Sequence, residues 1–150
     1  NKDGKKIGYA RSVWAMISLK TRKPADLLAL HGGSIVDYVC DEPCPIEKPS
    51  RIKVTSAEPA SSLNAKYSDI DINGHVNSIR YIEHILDLFP IELYKESRIR
   101  RFEMAYVAES YYGDELTFYK DYVGNGTYDI EVRKNGGEAV CRSKVIFVEK

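Results

Sequence analysis

The feature that most limits the possible folds is the strand-like sequence that fills residues 97–148. Its four segments are rich in β-branched and aromatic residues, and they read SRIRRFEMAYVAES, DELTFYKDYVG, TYDIEVRKN and EAVCRSKVIFVEK. Turn residues separate the last three segments, with Gly-Asn-Gly at 124–126 and Asn-Gly-Gly at 135–137. Both turns are typical of tight β-hairpins. The pattern therefore predicts an antiparallel meander of four strands.

A helix is predicted before this meander, over residues 76–89. Apolar residues recur there three and four positions apart, at Ile79, Ile82, Ile85, Leu86 and Phe89. Further apolar side chains lie on its other faces, so we expect the helix to be buried on most sides, and Pro90 to end it. Residues 62–68 predict one more strand. A long helix wrapped by a curved antiparallel sheet is an α+β architecture.

The first third of the chain gives weaker signals. Residues 5–19 predict a long strand, and residues 25–30 predict a short helix. Four of the six prolines lie between residues 41 and 61, among serine and charged residues. This composition is typical of a linker or an extended excursion.

Charge and composition exclude several classes of protein. The 150 residues carry 22 basic and 22 acidic side chains, so no basic excess supports general binding to nucleic acid or to anionic membranes. No apolar run approaches the roughly 20 residues that span a bilayer. The three cysteines, Cys40, Cys44 and Cys141, are too few for a disulfide scaffold and lack zinc spacing, so we expect reduced thiols in a cytoplasmic protein and no metal site.

The densest polar cluster is SDIDINGHVN, residues 68–77, between a predicted strand and the predicted helix. Asp, Asn and Ser are the residues that cap helices and form turns, so capping alone explains most of this composition. Capping does not require a histidine, however, and Asp71 could orient the imidazole of His75.

A second candidate is Glu109, at the end of a predicted strand. It is either a general base for water or an ordinary solvated glutamate in a turn. Arg98, Arg100 and Arg101 form either a basic patch or a solvated strand face.

These residues carry a resemblance to a known family. The segment DINGHVNS at 71–78, followed by Tyr81, resembles the Asp-x-Asn-x-His-Val-Asn-Asn-x-x-Tyr signature of the acyl-acyl-carrier-protein thioesterases of plants and their bacterial relatives. SVWAMI at 12–17 and TRKP at 21–24 are similar to the end of that family's first half. Glu109-Ser110 falls where the family carries a Glu-Cys pair, and Ser78 replaces an Asn that many relatives have.

The resemblance implies two tandem hotdog folds, each a long helix wrapped by an antiparallel sheet. Residues 1–45 would then be the C-terminal remnant of a first hotdog domain, including its closing strands, and residues 46–61 a linker. Residues 62–150 would be the second hotdog domain, with the catalytic motif. On this basis we expect a chain truncated at its N-terminus, with a homodimer as one way to replace the missing half.

The resemblance also implies an activity, the hydrolysis of fatty acyl-carrier-protein thioesters to free fatty acids. Asp71, Asn73, His75 and Glu109 would form the catalytic set, with Glu109 as general base or nucleophile, His75 positioned by Asp71, and Asn73 on the thioester carbonyl. Ser110 in place of cysteine argues against a thiol nucleophile, and we expect Ser110 to be a spectator. No metal or soluble cofactor is needed.

The partner would be acyl carrier protein with its acyl-phosphopantetheine arm, with neither nucleic acid binding nor membrane insertion. Arg98, Arg100 and Arg101 would steer this acidic carrier. Two alternatives stay open: a hotdog acyl-CoA thioesterase, and a hotdog protein that binds acyl chains or lipids without catalysis.

Overall fold

The structure is a computed structural model, and it describes residues 3–21, 23–40 and 42–150. The chain divides into two compact units, Asn1–Pro49 and Ser50–Lys150. No helix in the described residues is long and apolar enough to cross a membrane.

The first unit contains little regular structure. Among the described residues of this unit the one helical element is a run of 3-10 turns over Leu27–Tyr38, which begins where the side chain of Asp26 accepts a hydrogen bond from the amide of Leu28 at 2.9 Å. The predicted strand over residues 5–19 is absent from the described residues, where an isolated bridge joins Ile17 to Pro24. A strand is stable only when its backbone groups find a partner, and a favourable composition cannot supply one. Residue 22, inside the TRKP segment, lies outside the described residues, and the assignment of residues 1–45 to a first hotdog domain stays a prediction.

The second unit is built on a five-stranded antiparallel sheet. Its strands are β1 (Ser61–Asn64), β2 (Ser97–Tyr106), β3 (Glu115–Gly124), β4 (Thr127–Lys134) and β5 (Glu138–Glu149). Their order in the sheet is β1-β3-β4-β5-β2, so β1 and β2 form the edges. All four predicted strands form, and both predicted turns lie between paired strands, so β3, β4 and β5 are a meander. The predicted place of β2 beside β3 is wrong, because β2 pairs with β5 at the far edge of the sheet.

Two α-helices lie between β1 and β2, namely α1 (Ser78–Leu86) and α2 (Ile91–Glu96), preceded by a single 3-10 turn over Tyr67–Asp69. α1 is shorter than predicted, because Asn77 caps it by accepting a hydrogen bond from the amide of Ile79 at 2.9 Å. The prediction that α1 is buried on most sides is wrong. Tyr81 and Ile85 are buried on one face, whereas Ile79 is 55% exposed on another. α1 ends at Leu86, before the predicted stop at Pro90, and Pro90 instead precedes α2, which the sequence did not predict.

The core lies between α1 and the inner face of the sheet. Its largest fully buried side chains are Ile85 of α1 and, from the central strands, Leu116, Phe118, Ile130, Val132, Val140 and Val145. Phe89, Tyr128 and Phe147 add a cluster of edge-to-face aromatic contacts at the end of α1. An antiparallel sheet packed on a helix is the α+β hotdog architecture that the sequence predicts.

The opposite face of the sheet carries charged residues in pairs. Glu131 accepts hydrogen bonds from Arg133 and Arg142, each at 2.7 Å, and Lys144 lies 3.1 Å from Asp129. Residues 50–56 cross this face and are held at two places. Ser50 donates its amide and its hydroxyl to Glu103, at 2.7 and 3.0 Å.

The second attachment of residues 50–56 is on β3, where Thr55 donates its amide and its hydroxyl to Asp121 at 2.6 and 2.9 Å. We call residues 50–56 the outer strap. The interpretation of residues 46–61 as a linker stays a prediction, and so do the boundaries of the proposed second hotdog domain.

Candidate active site

The loop before α1 is shaped by Asp71. Its Oδ1 accepts hydrogen bonds from the amides of Asn73 at 2.8 Å and His75 at 3.3 Å, and its own amide donates to the carbonyl of His75 at 2.8 Å. Gly74 completes the turn with a φ of 83°, a conformation that glycine adopts without strain. Asp71 therefore fixes the main chain of His75. We had expected the Asp71 carboxylate to orient the imidazole, and in the structure it bonds to the backbone instead.

The loop after β2 carries Glu109 and meets the first loop through the main chain. The amide of Val76 donates to the carbonyl of Ser110 at 2.8 Å, and Lys134 donates from Nζ to the carbonyl of Glu109 at 2.8 Å. Val76 and Ser110 are the immediate neighbours of His75 and Glu109, so this bond sets the two side chains side by side.

Nε2 of His75 lies 3.6 Å from Oε2 of Glu109. This separation is too long for a direct hydrogen bond, and it suits an ion pair or a pair of groups that share a water molecule. The side chains are 31% and 45% exposed, so water and a substrate can reach them. Two groups that bind and release protons therefore face each other at an accessible end of the sheet.

Tyr111 completes this pair and was not predicted from the sequence. Its hydroxyl donates to Oε2 of Glu109 at 3.2 Å, and its ring packs edge-on against the imidazole of His75 with centroids 5.3 Å apart. The Tyr111 ring reaches His75 because of the path that the backbone takes after Ser110. The sequence contains no signal for that path.

Beneath the pair lie two buried hydroxyl groups, those of Tyr81 and Ser110, which share a short hydrogen bond. Burial raises the pKa of Tyr81, and the bond to Ser110 offsets part of that rise. Burial also raises the pKa of Cys141 in β5 to about 12, so this thiol stays protonated and inert.

The other predicted residues lie at different distances from the pair. Asn73 lies in the turn that Asp71 shapes, and its side chain is exposed. Arg98 and Arg100 are exposed near the start of β2, while Arg101 lies 2.5 Å from Glu103. At the usual rise of about 3.3 Å per residue, Arg98 is roughly 25 Å along the strand from Tyr106, at its other end.

The described residues contain no group of three or more His, Cys, Asp or Glu side chains arranged to hold a metal ion. The candidate site therefore consists of His75 and Glu109, with Tyr111, Asp71 and Asn73 around them.

Comparison with known proteins places this arrangement in context. Residues 52–149 match the family described as acyl-ACP thioesterase C-terminal domain. The chain is 27% identical over 113 residues to a chloroplastic dodecanoyl-[acyl-carrier-protein] hydrolase of Cinnamomum camphora, covering 72% of this chain and 30% of that protein. A chloroplastic palmitoyl-acyl carrier protein thioesterase of Arabidopsis thaliana is 28% identical over 112 residues, 71% of this chain and 27% of that protein. The chain thus spans less than a third of the length of these curated relatives.

Two solved structures are similar over most of the chain. The crystal structure of an acyl-ACP thioesterase from Bacteroides thetaiotaomicron superposes with a TM-score of 0.92 at 78% identity, over 99% of this chain and 59% of that one. A 12:0-ACP thioesterase from Umbellularia californica superposes with a TM-score of 0.70 at 18% identity, over 89% of this chain and 53% of that one. The second likeness shows the fold alone.

Proposed function

The chain belongs to the acyl-ACP thioesterase family, and from that premise we propose that it supplies the catalytic site for hydrolysis of fatty acyl-carrier-protein thioesters. The reaction would release a free fatty acid, as a step that terminates fatty acid synthesis. The observation that carries this proposal is the approach of His75 and Glu109 to 3.6 Å at an exposed end of the sheet. It brings together the histidine of the family signature and the glutamate at the position of the family's Glu-Cys pair, two side chains that can move protons.

The proposed chemistry uses Glu109 as general base. Its carboxylate takes a proton from a water molecule while the water oxygen attacks the thioester carbonyl carbon. The C–S bond then breaks, the thiolate of the phosphopantetheine arm leaves, and a proton returns to the sulfur. Direct attack by Glu109 is the second form of the mechanism, and it would pass through an acyl anhydride that water opens.

His75 and Tyr111 hold Glu109 in this scheme. The hydroxyl of Tyr111 donates to Oε2 of Glu109, and the imidazole of His75 faces the same oxygen. Asp71 acts indirectly, because its carboxylate accepts a hydrogen bond from the backbone amide of His75 and so fixes the position of that residue. We therefore assign Asp71 a positioning role.

Asn73 would hold the thioester carbonyl oxygen with its side-chain amide. Main-chain amides at a helix start are an alternative source of such donors. The amides of Asn77, Ile79 and Arg80 already donate to other groups of the protein. We therefore propose that the side-chain amide of Asn73 donates a hydrogen bond to the developing oxyanion. No step calls for a metal or a soluble cofactor.

The test is hydrolysis of a matched pair of substrates by the full chain. Medium- and long-chain acyl groups would be presented on acyl carrier protein and on coenzyme A at equal concentrations, with free thiol released as the measure. We expect a higher kcat/KM with the carrier protein. Preference for coenzyme A would support the acyl-CoA thioesterase instead. Binding of acyl thioester without turnover would support a non-catalytic acyl-binding protein.

We propose that the carrier protein docks against Arg98, Arg100 and Arg101. Arg98 and Arg100 are exposed cations, which suits an acidic partner, whereas Arg101 is engaged by Glu103. Arg98→Glu and Arg100→Glu should raise KM for the carrier-bound substrate and leave kcat for acyl-CoA unchanged. Equal effects on both substrates would contradict a docking role.

We also propose a cytoplasmic location and a homodimer. Cys40 and Cys44 are exposed and unpaired, as expected in a reducing compartment. In the second unit β2 lies at the edge of the sheet, where a further strand can pair with it. Light scattering at increasing protein concentration tests the dimer.

A further inference from the structure

Two buried hydroxyl groups lie below the site, and the proposed mechanism does not use them. Tyr81 projects from α1, and Ser110 follows Glu109 in the loop after β2. Both residues are buried, Ser110 with 1% of its surface exposed, and their oxygens share a short hydrogen bond. Either oxygen can be the donor.

Ser110 connects the parts of the molecule that carry the candidate catalytic groups. Its carbonyl accepts from the amide of Val76, the neighbour of His75. Its hydroxyl bonds to Tyr81, and its own amino group is joined by a peptide bond to Glu109. A displacement of Ser110 would therefore change the distance between the imidazole and the carboxylate directly.

A further contact fixes α1 on the end of β2, where the loop that carries Ser110 begins. The hydroxyl of Tyr106, at the end of β2, donates to the carbonyl of Ser78 at 3.1 Å, and its ring lies edge-on to that of Tyr81 with centroids 6.1 Å apart. Burial raises the pKa values of both tyrosines, so both keep their protons at neutral pH and remain able to donate.

We infer that Tyr81 and Ser110 are positioning residues, whose buried hydrogen bond holds Glu109 at its working distance from His75. This inference rests on the proposed function. Neither hydroxyl touches the substrate, and Ser110 is therefore more than the spectator that the sequence suggests. A misplacement of about 1 Å in a reacting group can cost about 10²-fold in rate, and loss of this bond would permit a shift of that size.

The test compares two site variants with two matched controls in the full chain. Tyr81→Phe and Ser110→Ala each remove one oxygen atom of the pair. Tyr94→Phe removes a hydroxyl that bonds to the carbonyl of Leu86 at the other end of α1. Ser143→Ala removes a buried hydroxyl that has no hydrogen-bond partner among the described residues.

We expect kcat to fall about 10- to 100-fold in Tyr81→Phe and in Ser110→Ala, with KM changed by less than about twofold. The double variant should be no slower than the slower single variant, because both changes break the same bond. Ser110→Cys keeps a weak donor and should recover part of the rate. Both controls should stay within about twofold of the parent chain.

A second readout does not depend on turnover. The imidazole resonances of His75 in NMR spectra should shift in Tyr81→Phe and in Ser110→Ala, and stay in place in Tyr94→Phe and in Ser143→Ala. If the parent chain hydrolyses no thioester, the proposed function fails, and these spectra still decide the inference. An unmoved His75 signal in both site variants, or rates that match those of the controls, would overturn it.

Discussion

Glu109 and His75 meet at 3.6 Å although they come from two different loops, one after β2 and the other before α1. Each is next to a residue of the main-chain bond between Val76 and Ser110. The relationship is thus built into the backbone, and the two side chains form one functional unit.

The first prediction follows from this unit. Glu109→Gln should lower kcat about 10²- to 10⁴-fold, because the amide cannot accept a proton from water, and His75→Ala should cost a similar factor. The double variant should lose little more than either single one, since groups that act together are not additive. Steady-state hydrolysis of acyl carrier protein substrates measures all three. Glu96→Gln, an exposed glutamate in α2, is the matched control.

Ser110 should never carry the acyl group. Its side chain is buried and its oxygen is bonded to Tyr81, so no substrate carbonyl can approach it. Acid quenching during turnover, followed by mass spectrometry of the intact chain and its peptides, should show no ester at Ser110. An added acyl mass that maps to Ser110 would move the nucleophile one residue along the chain and refute water activation by Glu109.

The two hairpin glycines should differ in their tolerance of a side chain. Gly126 and Gly136 both have positive φ, 69° and 78°, so alanine is strained at either position. At Gly126 the added Cβ would also press into the carbonyl oxygen of Phe147, whereas at Gly136 it would meet open space. Gly136→Ala should cost about 1 kcal/mol and Gly126→Ala at least about 2 kcal/mol more, measured by urea unfolding. Equal losses would show that the close approach to Phe147 is wrong.

The outer strap should loosen in acid through Glu103. Burial raises the pKa of this carboxyl, but the hydrogen bonds from Ser50 and from Arg101 outweigh burial, so its pKa lies below the ordinary 4.5. The folded state therefore binds this proton less readily than the unfolded state does. The stabilisation is present above about pH 4.5 and is lost as the pH falls through the lower pKa of the folded state.

Glu103→Gln should remove that pH dependence. At neutral pH the variant should be less stable by about 1.5–3 kcal/mol, the usual contribution of hydrogen bonds to a charged group, and the difference should shrink below pH 4.5. Unfolding free energies at pH 7, 5, 4 and 3 check this. The exposed Glu92→Gln serves as the control and should follow the parent chain. A constant difference at all four pH values would contradict the role of the carboxylate charge.

The second unit was predictable to a large degree, because its signals are local. Strand-forming residues predict β2 to β5, and two turns with Asn-Gly pairs set the order of β3, β4 and β5, where Asn125 and Asn135 adopt the positive φ that such turns require. The pairing of β2 with β5 was not predictable, because no turn joins these two strands. The exposed side of α1 was not predictable from composition. Ile79 reads as a core residue in the helical pattern, and the sequence cannot say which apolar face receives a neighbour.

The identity of the main site residues was predictable from the sequence, but the contacts between them were not. The resemblance to the family identifies His75 and Glu109. The contact of the Tyr111 ring with His75 and the buried bond of Tyr81 to Ser110 depend on how separate segments meet, whereas the bond of Asp71 to the backbone depends on the turn of its own loop. Residues 5–19 failed as a predicted strand for a related reason. Strand propensity indicates a preference, while pairing depends on a partner distant in sequence.

The hydrogen bond from Val76 to Ser110 joins main-chain atoms, so it limits which residues can replace Val76 in related sequences. A side chain other than valine at position 76 leaves this bond in place, whereas the side chain of Ser110 adds its own contact to Tyr81. Proline at position 76 is the exception, because it has no amide hydrogen to donate. Selection on this bond would therefore appear as the absence of proline at position 76. It would not appear as a preference for any one residue there.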